Sequence, residues 1–150
     1  MSAYHTRLGA PPETLDDDPP LAALMTRRLV GVTSDTDAFV ALGLMARTGV
    51  RHLPVIDHTG CRGLVLERDL LAHIPANMAR YSSTPPLVAA LCRSAPTLHT
   101  TDRRSAAAER MHVTGVDAVL VTEGEQLVGL VTATDLIRSL AEATAATPPG

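Results

Sequence analysis

Thr48-Gly49-Val50-Arg51-His52-Leu53-Pro54-Val55-Ile56 and Thr114-Gly115-Val116-Asp117-Ala118-Val119-Leu120-Val121-Thr122 are two versions of one stretch of chain. Gly49 and Gly115 stand 66 residues apart, as do Gly63 and Gly129, and Asp69 and Asp135 (115 − 49 = 129 − 63 = 135 − 69 = 66). Met45 and Met111 keep the offset, and so do Pro19-Pro20-Leu21 and Pro85-Pro86-Leu87. No gap interrupts the register. Scattered apolar matches arise by chance, but an unbroken register across a whole unit marks a duplicated supersecondary unit.

Each copy passes through the same order of hydrophobic periods. Val30-Gly31-Val32-Thr33 reads as a short strand. Ser34 or Asp35 then reads as a helix N-cap, because a short polar side chain there accepts an orphan backbone N–H. Ala38, Leu42 and Met45 follow at helical spacing, and Gly49 ends the helix where a positive φ is wanted. In the second copy Thr97-Leu98-His99 is the strand, Thr100 or Thr101 the cap, and Ala108 and Met111 the helix face before Gly115. Two apolar strands come next, His52 to Ile56 and Gly63 to Leu66, matched by Ala118 to Val121 and Gly129 to Thr132. Asp57-His58-Thr59-Gly60 and Glu123-Gly124-Glu125 supply the turns between them. A second helix closes each unit, from Arg68 and from Ala133. The order is β-α-β-β-α, twice, with strands apolar along most of their length, as in sheets covered on both faces. Residues 1–18 are polar and Pro-rich and read as a flexible tail, 19–79 as repeat 1, 80–141 as repeat 2, and 142–150 as a second tail.

Composition sets the outer bounds. Hydrophobic residues make up 45% and charged residues 19% of the 150, which suits a packed core and not wholesale disorder. Tyr4, Phe39 and Tyr81 are the aromatics, so the core is expected to be aliphatic. The net charge of −3 and the scarcity of rings argue against nucleic acid, whose binding needs a basic face and often stacking side chains. No apolar run approaches the roughly 18 residues of a membrane-spanning helix. The start, Met1-Ser2-Ala3-Tyr4-His5-Thr6-Arg7, lacks the apolar stretch of a secretory signal. Cys61 and Cys92 are too few for a disulfide scaffold. A soluble cytoplasmic protein with neither nucleic acid nor membrane as partner is the expectation.

Two strings carry a resemblance. Gly49-Val50-Arg51-His52-Leu53-Pro54-Val55-Ile56-Asp57 is similar to the second-strand signature of the CBS domain family, Gly-apolar-x-x-Leu-Pro-Val-apolar-Asp. Gly129-Leu130-Val131-Thr132-Ala133-Thr134-Asp135 is similar to its Gly-apolar-apolar-Ser/Thr-x-x-Asp signature. The chain from about Leu21 to Ala141 thus resembles a tandem CBS pair, or Bateman module. The resemblance implies an α/β (α+β) fold in which two repeats pack by their sheets about a pseudo-twofold axis, helices outside. It also implies two clefts for adenosine-containing ligands (AMP, ADP, ATP, S-adenosylmethionine or NAD), pairing into a homodimer, and a regulatory, energy-sensing role passed to an effector protein. It implies no obligatory cofactor and no catalysis.

The same resemblance places the ligand. Asp135 can hold the two ribose hydroxyls, with Thr132 and Thr134 donating nearby at a helix N-terminus that favours anions. Thr132-x-x-Asp135 also fits a capping box, a purely structural use, and both readings stay open. In the first copy Leu66 stands where Ser or Thr is expected, so Asp69 and Arg68 would act without that donor and the two clefts should differ. Arg51 and His52 can reach phosphates across a cleft. Thr33 and Pro54 in one copy, with Leu98, His99, Val119 and Leu120 in the other, could line an adenine slot, although most would be core residues in any case.

Two rivals differ in kind. One is a dimerisation or docking module whose clefts stay empty. The other is a metal-binding CBS pair, for which His58-x-x-Cys61 has ligand-like spacing while no second close pair closes a tetrahedron. No nucleophile-base arrangement, glycine-rich phosphate loop or zinc-protease motif is present in the sequence.

Overall fold

The structure, a computed structural model, describes residues 17–73 and 85–146. Most of the expected N-terminal tail, the junction at 74–84 and the last four residues lie outside the described residues. A 3₁₀ turn, Leu21–Ala23, precedes β1 (Val32–Thr33), α1 (Ala38–Thr48), β2 (His52–Asp57), β3 (Gly60–Leu66) and α2 (Glu67–His73). The second copy runs α3 (Val88–Leu91), β4 (Thr97–His99), α4 (Arg104–Thr114), β5 (Ala118–Glu123), β6 (Gln126–Thr132) and α5 (Ala133–Ala146). Two three-stranded sheets result, ordered β1-β2-β3 and β4-β5-β6, each with one parallel and one antiparallel pair. The fold is the expected mixed α/β pair.

The helix starts differ from the expectation. Asp37, not Ser34 or Asp35, caps α1, its carboxylate accepting from Val40 N at 2.9 Å. Asp35 is spent on the preceding turn, where it accepts from Thr33 Oγ1 at 2.6 Å. Arg103 takes the N-cap place of α4, so neither Thr100 nor Thr101 caps it. The missing carboxylate comes from far along the chain, since Ser105 N donates to Asp18 Oδ1 at 2.8 Å. Asp18 thereby sits fixed against the second repeat. Both helices end as read, on Gly49 (φ 78°) and Gly115 (φ 70°). Ala107 and Met111, not Ala108, face the core of α4.

Each antiparallel hairpin carries a bulge at the same place, between Val55 and Ile56 and between Val121 and Thr122. Just beyond it the chain of the other repeat crosses. Leu64 pairs with Arg93, and Leu130 with Thr26, each through two backbone hydrogen bonds of 2.8–3.1 Å. The segments that lead into the repeats are therefore exchanged. Leu21 and Met25 belong to the core beneath β4-β5-β6, with Leu98, Val119 and Val121. Val88 belongs to the core beneath β1-β2-β3, with Val55, Val65 and Met45. A third cluster, Leu64, Leu66, Val116, Ala118, Leu120 and Leu130, joins the inner faces of the two sheets. Burying these aliphatic side chains is worth roughly 1.5–3 kcal/mol each for the larger ones, which holds the halves together without aromatics.

Candidate functional site

Strand β2 enters the sheet interface beside the start of α5, and a cleft of about 410 Å³ opens between them. From the first repeat it takes Arg28, Val30, Arg51, His52 and Pro54; from the second, Leu130, Thr132, Thr134, Asp135 and Arg138. One wall is apolar and one end polar, the usual make-up of a small-molecule site.

The polar end is built by the β6–α5 junction. Asp135 is 7% exposed, and its Oδ2 accepts from Thr132 N at 2.9 Å and Thr132 Oγ1 at 3.1 Å. Asp135 N in turn donates to Thr132 Oγ1 at 3.3 Å. That reciprocal pattern is a capping box. A carboxylate has about four acceptor sites, and Arg138 Nη1 takes one on Oδ1 at 3.2 Å. Acceptor capacity on Oδ1 remains, and Arg138, 62% exposed in its side chain, can be displaced from it. Capping and ligand holding are therefore compatible in one residue.

Charge at the cleft is mostly positive. Arg28, Arg51 and Arg138 line it against Asp135, and among the described residues the guanidinium groups of Arg28 and Arg51 have no partner. His52 Nε2 bonds Asp117 Oδ1 of the other repeat at 2.8 Å. Burial opposes ionisation of Asp117, but the bond and charge of His52 outweigh it and hold its carboxyl below the ordinary value.

The sites expected from the sequence are divided by the fold. Arg51, His52, Pro54, Thr132, Thr134 and Asp135 meet in this cleft. Asp69 instead lines a separate hollow of about 370 Å³ with Cys92 and Arg93. There Arg93 grips it with two bonds of 2.5 and 2.8 Å, while Arg68 donates to Gly115 O at 3.3 Å and Leu66 is 2% exposed in the sheet interface. The carboxylate equivalent to Asp135 is thus engaged by the chain's own Arg93. Thr33 is tied into a turn by Asp35, and His99 Nδ1 lies 3.1 Å from Thr101 Oγ1 in another. Leu98 and Val119 lie in the second core, and Leu120 packs in the sheet interface, so none of these lines the cleft. Arg28 and Arg138 escaped the sequence reading, since neither falls inside a repeated string.

His58 sits on the β2–β3 turn, and Cys61 directs its thiol at Gly63 O, 3.6 Å away. Burial pushes both thiols, Cys61 and Cys92, above the ordinary range, away from the thiolate a metal needs. Among the described residues no group of three or more His, Cys, Asp or Glu is placed to hold a metal ion. No helix among them is long and apolar enough to cross a membrane.

Fold and cleft define a paired β-α-β-β-α module with a ligand-sized groove between its copies. The CBS domain model matches residues 21–76 and 86–142, and the chain belongs to that family. Among solved structures it is similar to the CBS domain of the bacterial CNNM/CorC family Mg²⁺ transporter in complex with ATP. The TM-score is 0.70 at 18% identity, over 92% of this chain and 94% of that one. It is also similar to a CBS domain pair in complex with 5′-methylthioadenosine and S-adenosyl-L-methionine (TM-score 0.70, 17% identity, 83% and 98% covered). In sequence, an uncharacterized 17.7 kDa protein of Acidianus ambivalens is 45% identical over 56 residues, so the matched stretch spans 37% of this chain and about a third (34%) of that relative.

Proposed function

We propose that this CBS pair is a regulatory module, not an enzyme, that binds an adenine nucleotide (AMP, ADP or ATP) in the cleft between its repeats. The observation that carries the reading is the junction of Asp135, capped by Thr132 yet open to a ribose hydroxyl, with three arginines around one groove. The apolar wall of Val30, Pro54 and Leu130 suits a purine, and Arg28 and Arg51 suit phosphate oxygens, which guanidinium groups bind as a fork. S-adenosylmethionine, a cation, suits the arginine-rich rim less well than a phosphate does, and NAD has the extra bulk of a second nucleoside. The bound structures of the two fold neighbours, with ATP and with sulfur-containing adenosines, support an adenosine ligand in kind.

The ligand would touch β2 of one repeat and α5 of the other. It alters the module only as far as it prefers one packing of the repeats over another. The exposed Val113, Ile137 and Leu140 on α4 and α5 support a homodimer or an effector protein as the receiver of that change. Titration calorimetry with ADP should give saturable binding. Asp135→Asn, which keeps an oxygen for the cap, should weaken it by about 1.5–3 kcal/mol, the size of a hydrogen bond to a charged group. A wild-type titration flat to millimolar AMP, ADP and ATP sinks the reading. It would favour a docking module, which the capping box and the exposed Val113 and Ile137 support.

A further inference from the structure

His52 lines the cleft from the first repeat, while the group bonded to it, Asp117, comes from the second. The pair is therefore a link between the repeats at the edge of the groove. An ionised carboxylate only accepts hydrogen bonds. Asp117 thus fixes the neutral imidazole as the tautomer with its proton on Nε2, which leaves Nδ1 as a bare lone pair. No described residue bonds Nδ1, and among the described residues no side-chain nitrogen or oxygen without a partner is fully buried, so Nδ1 on this cleft-lining residue is not sealed from solvent.

A bare nitrogen repels a phosphate oxygen, whereas a protonated one donates to it. We propose that Asp117 is a positioning residue for the nucleotide cleft, holding His52 so that a phosphorylated ligand binds with uptake of a proton on Nδ1. This rests on the nucleotide reading above and adds its regulation. Other charged groups surround the cleft. Arg51 adjoins His52 on β2, Arg28 comes from the segment before β1, and Asp135 and Arg138 come from α5; at the start of α2 Glu67 N donates to Arg51 O, and Arg68 reaches Gly115 O near Asp117. Of these, Asp117 alone is bonded to the ring among the described residues.

The direction follows from charge. The phosphate stabilises the imidazolium in the complex more than the empty groove does, so affinity rises as pH falls. The test is calorimetry with ADP at pH 6 and pH 8, in two buffers of different ionisation enthalpy, on the wild type, His52→Gln and Asp117→Asn. ADP itself gains protons near pH 6, and the variants share that contribution. The wild type should gain on the order of five- to tenfold more affinity between pH 8 and pH 6 than His52→Gln does, with net proton uptake on binding. Asp117→Asn can donate to Nε2 and leave the proton on Nδ1, so its profile should flatten with binding retained at pH 8. A residue that merely braced the fold would shift affinity equally at both pH values. Equal pH ratios in wild type and His52→Gln overturn the coupling and leave nucleotide binding standing. Absence of ADP binding by the wild type at either pH overturns both.

Discussion

Gly63 has φ 151°, and a Cβ placed on it would lie 2.1 Å from the carbonyl oxygen of Arg93. The obstacle is backbone from the other repeat, which the Leu64–Arg93 pairing holds in place. Gly63→Ala should therefore cost about 2–4 kcal/mol, combining backbone strain with overpacking, read as a lower urea midpoint. Gly49→Ala is the control: its φ of 78° is also positive, yet no atom lies within 4 Å of the added carbon, and roughly 1 kcal/mol is expected. The sequence displays Gly63 and Gly129 as a repeated pair, but their cause was not legible there. A Cβ on Gly129 would meet Met25 Sδ at 2.5 Å, so at both glycines the neighbour comes from the opposite repeat. A register of matched residues reveals that a position is constrained, and only packing reveals by what.

Helix α2 is held at its front by Asp69, whose bond to Arg93 keeps its carboxyl below the usual range, against a smaller opposing effect of burial and with help from the charges of Arg93 and Arg68. A carboxyl of this kind contributes in full above the unfolded value, near pH 4, and loses its contribution as pH falls through the lower folded value. Arg93 is 47% exposed in its side chain, so solvent screens the pair. Arg93→Ala should cost about 0.5–1 kcal/mol at pH 7. That deficit should shrink below about pH 4 as the wild type loses the same contact, measured by denaturation across pH. At the front of α5, Thr132 and Asp135 were legible as a capping box because both partners lie within one turn of chain. Arg93 was not legible as the partner of Asp69, being 24 residues away and outside every repeated string. The β-α-β-β-α order was read correctly from hydrophobic period, but the short helix α3 before β4 was not read, and caps were misplaced by two or three residues because turns at Thr33–Thr36 and His99–Asp102 intervene.

The two sheets meet through Leu64, Leu66, Ala118, Leu120 and Leu130, and the leading segments cross from one repeat to the other. Leu21, fully buried, opens repeat 1 in sequence but packs among Leu98, Ala107 and Val121 of repeat 2. Leu21→Ala should cost about 2–5 kcal/mol. Hydrogen exchange should show the loss of protection first in β4–β6 and not in β1–β3, the reverse of what sequence order suggests. The duplication could be read from matched residues, whereas the pairing of sheets and two differing clefts were anticipated only through the family resemblance and the departure from it at Leu66. The crossing could not, because Pro19-Pro20-Leu21 and Pro85-Pro86-Leu87 match each other equally well whichever sheet they complete. The unit that was copied and the unit that folds are thus out of step by one short segment. Each half inherits its finishing strip from its sibling, which gives two loosely similar sequences a reason to remain neighbours in a single polypeptide.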